Sequence, residues 1–173
     1  LDKIRGASTL AELATLWGEP GYSSPLGGGV SVDSKEPTRY SVYVGSGGLG
    51  LPDRDYYLDE SEKGREIQSK YRDYLTFLMD EAGYEDPAAM AQSIYDFEDK
   101  IARTVSWDRA TSRNRDLTYN ALSPSELSEL AEGFPLAALL AASGFAETDR
   151  FIVGDLPPSL EEAEELVLDQ DTL

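Results

Sequence analysis

The sequence predicts a mainly α-helical fold, a helical lobe with a long antiparallel helix pair and a small antiparallel β-hairpin. Three observations carry that expectation. Two neighbouring stretches, 61–82 and 87–105, repeat apolar residues at three- and four-residue steps, the period of one helix face. Each is framed by residues that start or stop helices. One region, residues 30–44, instead alternates apolar and polar residues in two short runs, the period of a strand.

The elements follow in chain order. Thr9 with Glu12 has the spacing of a capping box and opens a short helix with Leu10, Leu13, Leu16 and Trp17 on its apolar side. Gly18 and Pro20 end it. The stretch "GYSSPLGGG" is too rich in Gly, Ser and Pro to be expected regular. In "VSVDS" and "RYSVYV", Val30 and Val32 alternate on one strand and Tyr40, Val42 and Val44 on the next. The connection "KEPT" is short and turn-rich, which makes the pair an antiparallel hairpin. Two strands alone are marginal in water, so the hairpin must pack on helices.

From Ser61 to Ala82, the residues Ile67, Tyr71, Tyr74, Leu75, Leu78 and Ala82 form one stripe, and Gly83 stops the helix. At ~1.5 Å per residue such a helix is about 30 Å long. Asp86 is an N-cap before Pro87 at the first helical position, and Met90, Ile94, Phe97, Ile101 and Val105 are expected inward. A short connection pairs the two helices antiparallel. Ser123, Pro124 and Glu126 supply an N-cap, an N1 proline and a capping-box glutamate. The run "PLAALLAASG" is apolar almost all round and is expected buried. "RFIVG" reads as a strand, and Ser159 with Glu162 caps a last acidic helix. No internal repeat interrupts this order, and residues 1–173 are expected to form a single domain.

Composition narrows the function. Lys and Arg total 15 against 33 Asp and Glu, a net charge of -18. So acidic a surface repels phosphate backbones and anionic lipid, so neither nucleic acid nor membrane contact is expected. The plain role of the charge is solubility; if carboxylates lined a substrate cavity, they would draw in cationic peptides. The chain has no cysteine and no histidine, which excludes disulfides, Cys/His zinc sites and a Ser-His-Asp triad within these residues. It contains no apolar run long enough to span a bilayer.

From Gly45 to Gly50 the sequence spells G-x-G-x-x-G after a strand. A dinucleotide loop needs its third glycine to open a helix, whose free N–H groups hold the pyrophosphate. Here Leu51 and Pro52 follow Gly50; the proline removes one N–H and biases Leu51 away from helical geometry. The glycines are therefore expected to serve a positive-φ turn and close backbone packing. Beyond them, Asp53, Arg54 and Asp55 can pair with one another or cap the turn, and Tyr56 and Tyr57 add rings with polar tips. The two carboxylates could serve acid–base chemistry or a hard cation; the plainer reading is an arginine–carboxylate clasp.

The stretch Gly48-Leu-Gly50-Leu-Pro52-Asp-Arg54-Asp55-Tyr56-Tyr57-Leu58 resembles the signature of the neprilysin-like zinc metallopeptidases. The resemblance continues in order: a preceding strand pair, then a long helix from Tyr71 to Gly83. Next come a Phe97-Glu98-x-x-Ile101-Ala102 pattern, Arg115-Asp116, Tyr119-Asn120, and Ser123 to Leu127. It covers roughly residues 1–158.

The resemblance implies a structural motif made of Gly48, Gly50, Pro52, Arg54, Asp55, Tyr56, Tyr57, Glu98, Arg115, Asp116, Tyr119 and Asn120. It further implies a longer parent, an extracytoplasmic zinc endopeptidase of oligopeptides, and the absence of cysteine suggests a bacterial member. In that family zinc is held by His-Glu-x-x-His and Glu-Asn-x-x-Asp helices in a C-terminal catalytic lobe. Those motifs are absent here, so this chain resembles the non-catalytic N-terminal lobe that caps the chamber. Its implied partners are peptide substrates together with that catalytic lobe; zinc belongs to the parent, and the 173 residues are expected to hold none and to be inactive alone. Some relatives use an early arginine for the substrate carboxylate; the matching position is Ala7, so Arg5 is not assigned that role. The alternative is a stand-alone acidic helical module that binds a protein partner.

Overall fold

The structure, a computed structural model, describes residues 2–104 and 106–154. It is mainly helical with a small sheet, and its buried side chains fall into two main clusters joined by the glycine loop.

The first cluster is built on the sheet. Helix α1 (Asp2–Gly6) precedes α2 (Leu10–Gly18). The Thr9 side chain caps α2 by accepting from the Glu12 N–H at 3.2 Å. Glu12 reaches back to Ser8 rather than to Thr9, accepting from its N–H at 2.7 Å and its hydroxyl at 2.9 Å. Strands β1 (Leu26–Val32) and β2 (Tyr40–Ser46) form the expected antiparallel hairpin. The hairpin is half of a larger sheet, in the order β1-β2-β4-β3. In it β4 (Phe151–Val153) runs parallel to β2, and β3 (Asn120–Leu122) antiparallel to β4.

One expectation changes here. Leu26 to Gly29, expected irregular, is strand: Leu26 is buried, and the glycines pair with β2 from Gly45 to Tyr43. Pairing to a neighbour overrides the weak strand preference of glycine. Val30 and Val32, on the same strand, are exposed.

Val42, Val44, Phe151 and Val153 meet Ala14 of α2, Leu127 of α6 (Pro124–Leu130) and Leu136 and Leu139 of α7 (Leu136–Ala142). Trp17 stacks on Phe134 with ring centroids 6.2 Å apart and planes 5° from parallel. A Cβ on Gly18 would lie 2.5 Å from the Leu139 carbonyl, so glycine is what lets α2 and α7 touch. The capping box of α6 is complete: Glu126 N–H donates to the Ser123 hydroxyl, and Ser123 N–H to the Glu126 carboxylate. Helix α7 is not buried all round; Ala137 and Ala141 face solvent.

The second cluster belongs to the helix pair, α4 (Glu62–Glu81) and α5 (Pro87–Thr104), with the single turn α3 (Asp55–Leu58) against both. Ser61 caps α4 through the Gly64 N–H at 3.0 Å, and Asp86 caps α5 through the Ala89 N–H at 3.0 Å. The buried stripe of α5 is Ala91, Tyr95, Glu98, Ile101 and Ala102, one position round from the stripe expected. Met90, Ile94 and Phe97 are only half-buried, and on α4 Tyr74 is exposed. Small residues at Ala91 and Ala102 occupy the buried seam, and the larger apolar side chains flank it. Val105, and the cap expected at Ser159 and Glu162, lie outside the described residues.

Candidate functional site around the glycine loop

The loop between β2 and α3 crosses from one cluster to the other. Gly47 N–H donates to the Pro25 carbonyl at 2.7 Å, tying the loop to β1. Gly48 has φ +90°, which side chains rarely adopt, and its missing Cβ would sit 3.3 Å from Cδ1 of Ile101. At Gly50 a Cβ would lie 1.8 Å from the Tyr71 hydroxyl and 3.2 Å from Glu98 Oε1. The backbone thus presses directly onto a buried polar group.

That group is Glu98, on the inward face of α5. Tyr57 donates to its Oε2 at 2.7 Å, and the Tyr71 hydroxyl lies 2.9 and 3.0 Å from its two oxygens. The Tyr57 hydroxyl also accepts from the Leu51 N–H at 3.0 Å, which closes the circuit onto the loop. Beneath, Tyr95 packs against Tyr57 and Tyr71 at 5.7 and 6.3 Å, and the Arg72 guanidinium lies 4.7 Å from the Tyr95 ring centre. Burial first, and the Glu98 carboxylate with it, push both phenols well above the usual tyrosine range. Both remain protonated donors at neutral pH. The arrangement holds the loop against α4 and α5.

The charged half of the motif is arranged differently from the expected clasp. Arg54 does not pair with its neighbours; its Nη1 donates to the Ser106 carbonyl at 2.8 Å, and its buried Nε has no partner among the described residues. The carboxylates instead receive Arg109, at 2.5 Å from Asp53 and 3.8 Å from Asp55. Arg109 reaches both carboxylates from a distant loop, while Arg54 is turned to the Ser106 carbonyl. Pro52 is exposed at the start of the turn. The carbonyls of Tyr56, Tyr57 and Asp59 all lie within 3.1 Å of the Gln68 amide nitrogen on α4.

The later motif residues gather elsewhere. Tyr119 donates at 2.8 Å to Asp33, a fully buried carboxylate at the end of β1. Asp33 also accepts from the Ser41 hydroxyl at 2.8 Å, from the N–H groups of Lys35 and Glu36, and from Arg150 at 3.2 Å. Arg150 donates in turn to the Tyr119 hydroxyl at 2.7 Å. Burial alone would raise the Asp33 carboxyl, but the hydrogen bonds from Tyr119, Lys35, Ser41 and Glu36 together hold it well below the usual carboxylate range. Asn120 ties β3 to β4, donating to the Val153 carbonyl at 3.0 Å. Arg115 and Asp116 are exposed on the preceding loop.

The structure therefore brings Gly48, Gly50, Arg54, Asp55, Tyr56, Tyr57 and Glu98 to the loop, and Tyr119 and Asn120 to the sheet. Sequence reasoning missed Asp33, Tyr71, Arg109 and Arg150 as members of these networks. A turn aspartate in "VDSKEPT" looks like any exposed Asx turn, and only tertiary contact shows that it is buried.

Over residues 1–173 the chain matches the profile of the N-terminal part of peptidase family M13. The chain belongs to that family. Endothelin-converting enzyme 1 of Cavia porcellus is 35% identical over 105 residues, 59% of this chain and 14% of that protein. Neprilysin-3 of Drosophila melanogaster is 29% identical over 112 residues, 64% of this chain and 14% of its own length. Among solved structures, the zinc metalloprotease ZMP1 of Mycobacterium tuberculosis superimposes with a TM-score of 0.87 at 26% identity. That overlap takes in 99% of this chain and 27% of the mycobacterial one. The chain thus spans a small N-terminal share of its family relatives. The residues present do not fit a zinc centre: there is no histidine or cysteine, and among the described residues no group of three or more carboxylates is placed to hold a metal ion. No helix among the described residues is long and apolar enough to cross a membrane.

Proposed function

We propose that these residues are part of a single non-catalytic lobe that walls the substrate chamber of a zinc endopeptidase and limits entry to oligopeptides. The observation that carries this reading is a pairing: the chain matches the N-terminal part of the family and shares the fold of 27% of a zinc metalloprotease, and it has no histidine with which to bind zinc. Polarising a scissile carbonyl and activating water for its attack would fall to the metal in the remaining part of a family-length protein. The buried hydroxyls and carboxylates here are engaged with one another and with the backbone, which suits a rigid wall. The motif residues from Gly48 to Asn120 then act by shaping that wall. In the same reading the parent works outside the cytoplasm; the absence of cysteine suits a bacterial member that does not depend on disulfides.

Two assays test this. The purified 173-residue chain, incubated with a fluorogenic oligopeptide and zinc, is expected to show no chelator-sensitive hydrolysis; such hydrolysis would overturn the assignment. A chimaera carrying this chain in place of the matching part of ZMP1 is expected to cleave the oligopeptide while sparing a folded protein substrate. Equal cleavage of both would remove the size-limiting role.

A further inference from the structure

Among the described residues strand β1 forms one outer edge of the sheet, and the chamber-wall role makes no use of its backbone. In an antiparallel pair, opposed residues alternately exchange both hydrogen bonds or none. Gly47 N–H donates to Pro25 and Asp33 N–H to Arg39, which sets the phase of the ladder. Gly27, Gly29 and Ser31 are therefore the residues bonded to β2. Leu26, Gly28, Val30 and Val32 turn their N–H and C=O groups outward. Two of these groups are answered locally, the Leu26 N–H by the Ser24 hydroxyl at 3.1 Å and the Val32 carbonyl by the Tyr43 hydroxyl at 3.5 Å. Among the described residues nothing answers the outward groups of Gly28 and Val30, and both residues are exposed.

Natural sheets guard such edges with charge, proline or a bulge. Leu26–Val32 has no charged residue and no proline, and its register with β2 runs unbroken. The flank of the edge is apolar as well. Val30, Val32 and Tyr40 lie on the face shared with Val42 and Val44, beyond the helices, and are 59%, 47% and 72% exposed. At the other end Leu26, Gly28 and Val44 border a groove of about 380 Å³ walled in part by Trp17, Tyr22 and Phe145. Gly28, which carries no side chain, lies on the edge strand and lines that groove.

We propose that β1 is a strand-addition site for a linear peptide with apolar side chains at alternate positions. Unpaired N–H and C=O groups two residues apart select an extended backbone; one apolar side chain enters the groove beside Gly28, and the next lies across Val30. The net charge of -18 selects a neutral or basic peptide over an acidic one. The same charge opposes a second copy of the chain, which would bring an equal negative charge to the edge. The site extends beyond the chamber-wall role and does not depend on it, since it needs no other part of a peptidase.

The test is a titration of the 173-residue chain into a fluorescein-labelled heptapeptide that alternates valine and phenylalanine with threonine and carries lysine at both ends. Fluorescence anisotropy is expected to show saturable binding with a Kd between about 1 μM and 1 mM. Two further peptides are N-methylated at one or the other set of alternate amides. One set is expected to weaken binding at least about tenfold and the other to leave it nearly unchanged, since only alternate amides of an added strand face β1. Val30→Pro removes one outward N–H without touching the bonds to β2, and is expected to weaken binding by a similar factor. The proposal is overturned if no saturable binding appears up to about 1 mM, or if both methylated peptides bind like the parent. It is also overturned if sedimentation shows a dimer that Val30→Pro dissolves, which would make a second copy the occupant. The methylated peptides decide the matter on the unmodified protein even if Val30→Pro fails to fold.

Discussion

Glu98 takes hydrogen bonds from two phenols, and one of those phenols also receives the Leu51 N–H of the glycine loop. Removing a single hydroxyl leaves two buried groups short of a partner. Tyr57→Phe is therefore expected to cost about 1–3 kcal/mol, measured by urea unfolding at neutral pH. The same phenols make stability sensitive to alkali. Their folded pKa values lie above the ordinary value of 10.0, so their contribution is whole below that pH and is lost as pH rises through the folded values. The urea midpoint of the native chain is expected to fall above about pH 10, and to fall less steeply in Tyr57→Phe; parallel profiles for the two proteins would contradict the assignment. Asp33 has the opposite sign. Its folded pKa is depressed, so its contribution is present above the ordinary 3.8 and is lost as pH falls through the folded value. Asp33→Asn is expected to lower the urea midpoint at pH 7 and to flatten its decline below about pH 4. An unchanged acid limb would mean that other carboxylates carry it.

At the scale of elements, glycine serves two different ends in this chain. In the loop it makes room: a Cβ at Gly50 would overlap the Tyr71 hydroxyl. In β1 it leaves open space, and a Cβ at Gly29 would meet nothing within 4 Å. Gly50→Ala is thus expected to destabilise by about 1–3 kcal/mol through overpacking. Gly29→Ala is expected to be neutral or to stabilise by up to about 1 kcal/mol, because it narrows the unfolded ensemble without a clash. Equal effects in thermal melts of the two variants would show that the loop is looser than these contacts indicate. The caps at Thr9, Asp86 and Ser123 were readable from a few adjacent residues, because a side chain accepting from an N–H three positions on is a local event. The phase of the α5 stripe was not. Ala91 and Ala102 look neutral in a periodicity, and only the approach of α4 decides that they, with Tyr95 and Glu98, form the seam.

For the whole molecule, the dominant electrostatic fact is 33 acidic against 15 basic residues. Self-repulsion opposes compaction, and salt screens it within a Debye length of about 10 Å at 0.1 M. Salt also weakens exposed pairs such as Lys3 with Glu19 and Lys70 with Glu66, but such pairs contribute little. The melting temperature is expected to rise by several degrees between about 0.02 and 0.5 M sodium chloride; a fall would mean that the ion pairs outweigh the repulsion.

The sequence by itself determined the helical class, the helix pair with the Asp86 cap, the hairpin, and the family resemblance carried by residues 48–58. These depend on periodicity, on capping and on a spaced motif, all of which are written in nearby residues. The tertiary structure alone decided that β4 enters beside β2 and β3 beyond it, converting a hairpin into a four-stranded sheet. It alone decided that Arg109 rather than Arg54 holds the loop carboxylates, and that Asp33 is buried beneath Tyr119 and Arg150. Most of those contacts join residues more than fifty positions apart, and β3 and β4 are also far from neighbouring in the chain, so no local spacing records which partner will arrive.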